Sequence, residues 1–87
     1  MSDFIFSEKG FEHYVYWQTQ DKKTLRKINH LLRSISRDGA MNGEGKPEPL
    51  KGRSGYSRRI DDKNRLIYDV SGESITIISC RGHYDND

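Results

Sequence analysis

Two periodicities divide the chain, and they limit what it can fold into. Leu25, Ile28, Leu31, Leu32 and Ile35 recur three and four apart, the spacing of one helical face. From Tyr56 onward the period is two. Tyr56, Arg58 and Ile60 alternate with Ser57 and Arg59, and Leu66, Tyr68 and Val70 alternate with Arg65, Ile67 and Asp69. A helical half followed by a strand half predicts an α+β fold, one layer of helix on one sheet. At 87 residues the chain has room for a single domain, 1–87, with one modest core.

The elements follow in order. Asp3 to Phe6 predicts a first strand. Ser7 is a good helix N-cap, and a helix to about Thr19 follows, with Phe11, Tyr14, Val15 and Trp17 as its apolar positions and Gly10 weakening it. His13, without a partner at metal-ligand spacing, is expected at a surface or boundary. Asp21 caps a second helix that Gly39 ends, and the two helices make a hairpin. Residues 39–48 predict loop, from Gly39, Gly43, Gly45 and the Asn42-Gly43 turn signal. Strands are then expected at Leu50–Gly52, Tyr56–Ile60, Arg65–Val70 and Ser74–Cys80, the last being the most apolar and expected at the centre of the sheet. Successive hairpins imply an antiparallel sheet with a cationic second face. Asp85 to Asp87 predict a frayed acidic tail.

Between the two halves stands GKPEPL, Gly45 to Leu50, followed by Lys51. Pro47 and Pro49 each fix their own φ and push the preceding residue toward extended backbone. Glu48 lies between them, so its side chain is aimed. Bases gather after residue 45: Lys46, Lys51, Arg53, Arg58, Arg59, Lys63, Arg65, Arg81 and His83. The formal net charge is only +2, so it is this distribution that points toward a polyanion. Cys80 is the only cysteine, which excludes an intramolecular disulfide and fits a reducing cytoplasm. No signal-peptide pattern and no membrane-length apolar run is present, so no membrane association is expected. There is no CxxC, HExxH or GxxxxGK[ST], so neither a zinc site nor nucleotide hydrolysis is expected, and no cofactor is called for.

What remains is a dispersed set. Arg59 and Arg65 lie on strands joined by a tight turn and can be cross-strand neighbours. Arg81, His83 and Tyr84 follow the last strand. Such a set has what phosphodiester cleavage by a ribose 2′-OH needs. A carboxylate takes the hydroxyl proton, fixed cations stabilise the phosphorane oxygens, and an acid protonates the departing 5′-oxygen. Histidine titrates near neutrality and suits the acid role. Singly, each residue has an ordinary explanation. Glu48 can be a solvated loop glutamate, Arg59 and Arg65 exposed strand residues that resist edge pairing, and His83 with Tyr84 a terminal clip over the core. A non-catalytic nucleic-acid-binding module therefore stays open beside a nuclease.

GKPEPLK (Gly45 to Lys51), SRRI (Ser57 to Ile60), NRLIY (Asn64 to Tyr68) and CRGHY (Cys80 to Tyr84) resemble the YoeB/Txe branch of the RelE-like toxin superfamily. YWQ and DKK, at Tyr16 to Gln18 and Asp21 to Lys23, resemble that family's helical hairpin. The resemblance implies a microbial-RNase-like (RelE-like) fold. It also implies a type II toxin that is a ribosome-dependent endoribonuclease, cutting mRNA in the A site of the 70S ribosome. It implies a cognate antitoxin, a homodimer, and operator DNA contacted only through the antitoxin complex. By the same resemblance Glu48 is the general base, His83 the general acid and Arg65 the transition-state cation. Lys51 and Arg59 hold RNA and Tyr84 orients it. Arg58 and Arg81, from the gathering of bases after residue 45, are expected as further substrate-binding residues. The alternative is a ribosome- or nucleic-acid-binding module without catalysis, acting with the antitoxin as co-repressor. Gly82 stands where the resemblance implies a bulkier residue, and Asp85 to Asp87 extend past Tyr84.

Overall fold

A computed structural model describes residues 2–83. The elements are β1 (Asp3–Phe6), α1 (Glu8–Gln20), α2 (Lys22–Asp38), β2 (Glu48–Pro49), β3 (Tyr56–Arg59), β4 (Arg65–Ser71) and β5 (Ser74–Ser79). One sheet holds all the strands in the order β1-β5-β4-β3-β2. The pairs β2–β3, β3–β4 and β4–β5 are antiparallel, but β1 runs parallel to β5. The hairpin-linked strands are antiparallel as expected, and β1 makes the sheet mixed by adding in parallel. Hairpins dictate direction only between strands that they join, and β1 reaches β5 across both helices.

Asp21 alone makes the helical hairpin. Its extended backbone (φ −161°) ends α1 with an N–H to Trp17 O, 3.2 Å. Its carboxylate begins α2, accepting from Lys23 N (3.1 Å), Thr24 N (3.3 Å) and the Thr24 hydroxyl (2.8 Å). Those bonds, the Thr24 hydroxyl foremost, hold the carboxyl below its ordinary range. The stripe of α2 packs as its spacing requires, with Ile28, Leu31, Leu32 and Ile35 buried. They meet Trp17 of α1 and Leu66, Tyr68, Ile75 and Ile77 of the sheet in one core.

The buried face of α1 differs from the predicted one. Phe11 and Val15 are exposed, and the inward line is Gly10, His13, Tyr14 and Trp17. Gly10 explains the rotation. A Cβ there would lie 2.2 Å from Ile77 O, so the missing side chain lets α1 rest on the β5 backbone. Gly10→Ala is expected to destabilise the fold by about 1–3 kcal/mol, the usual cost of overpacking. A urea midpoint unchanged by that substitution would mean that the helix stands further off.

Two further boundaries move. Glu48 and Pro49, predicted as loop and loop end, form β2 at a sheet edge, where a proline's missing N–H is tolerated. The strand expected at Leu50–Gly52 is instead turn. The Leu50 N–H donates to Gly55 O (2.9 Å), and the chain bends back into β3. β5, expected at the centre, is flanked by β1 and β4, and β4 takes the central place because β1 adds only one strand beyond β5.

Candidate active site

Glu48 projects from the face of the sheet opposite the helices. Directly opposed residues of antiparallel strands share a face. Glu48 opposes Ser57, Ser57 opposes Ile67, and Ile67 opposes Ser79. Tyr56, Arg58, Leu66 and Tyr68 occupy the alternate positions, toward the core. The approach to Glu48 is tightly specified. Gly45 takes φ 87°, and a Cβ there would meet Leu31 Cδ2 at 2.8 Å and Arg58 Cβ at 3.0 Å. Its carbonyl accepts from Arg59 N, 2.7 Å. Lys46 then adopts φ 52°, a left-handed conformation uncommon outside glycine, directly before Pro47.

Two residues beyond Ser57 stands Arg59, exposed and directly opposite Arg65 of β4 on Glu48's face. Like charges opposed across a sheet are unfavourable. Each has a local partner. Arg59 pairs with Asp62, and Arg65 Nη1 donates to Asp61 O, 2.9 Å. The turn between them is built by the Asp61 carboxylate, which accepts from Lys63 N and Asn64 N, both 2.8 Å. The turn also holds the end of the chain. Asn64 Oδ1 accepts from Gly82 N (2.8 Å), and Arg65 N donates to Gly82 O (3.0 Å). Exposed His83 is the next residue. The arginine pair thus lies between the strand with Glu48 and the segment with His83. Three strand spacings, roughly 14 Å, separate β2 laterally from the extension of β5. Such a gap suits a stretch of polymer better than a single small group.

The other candidates divide. Lys51 is exposed in the turn that follows β2. The Arg81 guanidinium lies 3.8 Å from the Tyr16 ring centroid, so its neighbour is α1. Tyr84 and the Asp85–Asp87 tail lie outside the described residues.

Arg58 is a correction. It is 0% exposed and cannot touch substrate. All five guanidinium hydrogens find acceptors. Nε donates to Tyr68 Oη (2.8 Å), Nη1 to Ser34 Oγ (3.0 Å) and Glu44 O (2.8 Å), and Nη2 to Gly39 O (2.8 Å) and Asn42 O (2.7 Å). Ser34 Oγ in turn donates to Asp38 Oδ2 (3.0 Å), and Tyr68 Oη donates to Ala40 O (2.6 Å). Burial pushes the Tyr68 phenol up, against the pull of Arg58. This arginine ties down the loop that leads into Gly45.

Sequence reasoning missed His13. Its Nδ1 accepts from Cys80 N, 3.1 Å, so the neutral tautomer with hydrogen on Nε2 is required. Burial lowers its pKa first, with Lys9 and Arg81 adding and Glu12 opposing. The one legible signal was its place three residues after Gly10. The Cys80 thiol is pushed up to about 12 by burial, as a core residue rather than a nucleophile.

Among the described residues, no group of three or more His, Cys, Asp and Glu is placed to hold a metal ion. No described helix is long and apolar enough to cross a membrane. One groove lies between β1 and the helices, lined by Phe4, Phe6, Tyr14 and Leu32, and another between the start of α2 and the β3–β4 turn, lined by Thr24, Lys27, Ile60 and Asp61; Glu48 lines neither.

Residues 6–84 match the family described as YoeB-like toxin of bacterial type II toxin-antitoxin system. The Toxin YoeB of Streptomyces coelicolor is 48% identical over 81 residues, covering 91% of this chain and 95% of that protein. The YoeB dimer from Staphylococcus aureus superposes with a TM-score of 0.90 at 50% identity, over 95% of this chain and 98% of that one. The toxin in the heterotetrameric YoeB-YefM toxin-antitoxin complex of the same organism gives 0.89 at 49% identity, over 97% and 99%. Likeness of this extent covers both helices, the sheet and the strand that carries Glu48, and so this chain belongs to the YoeB-like toxins of bacterial type II toxin-antitoxin systems.

Proposed function

We propose that this toxin is an endoribonuclease that cuts mRNA in the ribosomal A site. The Glu48 carboxylate takes the proton of a ribose 2′-OH, and that oxygen attacks the adjacent phosphorus. The phosphorus–O5′ bond breaks, leaving a 2′,3′-cyclic phosphate on the upstream fragment. His83 gives its proton to the departing 5′-oxygen. Arg65, with Arg59 beside it, neutralises the charge that gathers on the phosphorane oxygens, the kind of preorganised stabilisation that is often the largest catalytic contribution. Lys51 and Tyr84 hold and orient the RNA.

One observation carries this reading: a like-charged arginine pair on the face of Glu48, beside the backbone that leads to His83. Opposed arginines cost stability in the free protein and gain it against a phosphate. The relatives support a YefM-like antitoxin as partner and a homodimer as the working form.

The test is to map mRNA 5′ ends after induction and to identify the 3′ terminus of the upstream fragments. New ends inside translated codons, each with a 2′,3′-cyclic phosphate, are expected. Arrested translation without new ends would overturn the nuclease and leave a toxin that only occupies the ribosome.

A further inference from the structure

We propose that α1 is the positioning element for the end of the chain, gripping Cys80 and Arg81 through His13, Tyr16 and Trp17 so that His83 meets the leaving oxygen. The inference rests on the reading of His83 as the acid. β5 ends at Ser79, and a strand end beyond its last partner ordinarily frays. Here the next three residues are each held. The Cys80 N–H goes to His13 Nδ1 (3.1 Å), and the Cys80 carbonyl accepts from the buried Trp17 indole (2.9 Å). Both backbone groups of Cys80 are therefore satisfied by side chains of one helix. The Arg81 guanidinium lies on the Tyr16 ring, and Gly82 is pinned to Asn64 and Arg65. Tyr16 and Trp17 pack edge to face, 5.0 Å between centroids, so the two contacts are mutually braced.

Tyr16 and Trp17 pack with the core on the helical side of the sheet, and His13 and Trp17 act through the Cys80 backbone, so these are positioning residues. The grip is also sensitive to protonation. A charged His13 has no lone pair at Nδ1 and cannot accept from Cys80. The charged groups that face it are Lys9 and Glu12 on its own helix and Arg81 on the tail, beside the neutral Cys80 thiol. Burial, Lys9 and Arg81 hold its pKa below the ordinary histidine value of 6.5. The folded pKa is lowered, so the contact is fully present above that value. In the folded protein it persists below 6.5 and breaks only as pH falls through the lower folded value.

A double-mutant cycle tests the grip. Trp17→Phe keeps a ring and removes the N–H. In single-turnover cleavage of ribosome-bound mRNA it is expected to lower kcat about tenfold and to leave KM within about twofold. In a His83→Ala background the same change is expected to cost nothing further, since nothing remains to be positioned. Tyr16→Leu, at a half-buried site, is read in the same cycle and guards against a folding defect of the tryptophan variant. His13→Asn offers an untitratable acceptor near the Nδ1 position. It is expected to rescue the rate lost in His13→Ala and to flatten the fall in rate that protonation of His13 causes at acid pH. Equal losses in both backgrounds, or a loss confined to KM, would overturn the positioning role. A His83→Ala protein that cuts at the wild-type rate would instead overturn the acid assignment itself.

Discussion

Arg58→Met is expected to remove about 3–5 kcal/mol of stability, the scale found when one partner of a buried charged network is deleted. A domain of this size has roughly 5–15 kcal/mol in total, so much of the population at physiological temperature would unfold. The melting temperature should fall by roughly 15–30 °C. The cause is local. Methionine fills the volume but leaves Gly39 O, Asn42 O, Glu44 O and the hydroxyls of Ser34 and Tyr68 without the donor that now serves them. Arg58→Lys should fall between, because an ammonium has three donors and no planar fork. The neighbouring Arg59→Met is the control. Its side chain is exposed and paired to Asp62 at the surface, so stability should move by less than about 0.5 kcal/mol. Urea denaturation of the three variants decides it, and equal stabilities for the Arg58 and Arg59 variants would refute the buried network.

Glu48→Gln should have the opposite profile. Cleavage of ribosome-bound mRNA is expected to fall by about 10²–10⁴-fold, the usual contribution of a proton-transfer partner. The fold should be untouched, since the side chain is exposed on a two-residue edge strand. Single-turnover rates beside a thermal melt make the comparison. An undiminished rate in a folded Glu48→Gln protein would remove Glu48 from the base role. Together the two substitutions separate what builds the loop from what the loop presents.

Much of the fold was legible because burial enforces period. The stripe from Leu25 to Ile35 and the alternation of Leu66 and Tyr68 name the core directly. The failures have physical causes. Alternation put Arg58 on the face of Tyr56 and Ile60, yet its charge argued for the surface. What makes burial affordable is a ring of loop carbonyls, and the path of that loop has no periodic signal. The face of α1 was misjudged because Phe11 and Val15 are apolar, while the decisive residue, Gly10, contributes by having no side chain. His13 was unreadable as a grip because its partner is a backbone amide 67 residues away. In the candidate site, the opposition of Arg59 and Arg65 followed from the tight turn between their strands. The parallel pairing of β1 did not follow, since no hairpin links it to β5.

The proline pair around Glu48 has a consequence for how molecules of this toxin meet. A sheet grows by recruiting a further strand through alternating donors and acceptors. On β2 that template is broken, because Pro47 and Pro49 supply no N–H on either side of Glu48 and the strand is two residues long. The residues that aim the carboxylate therefore also discourage strand addition along that border.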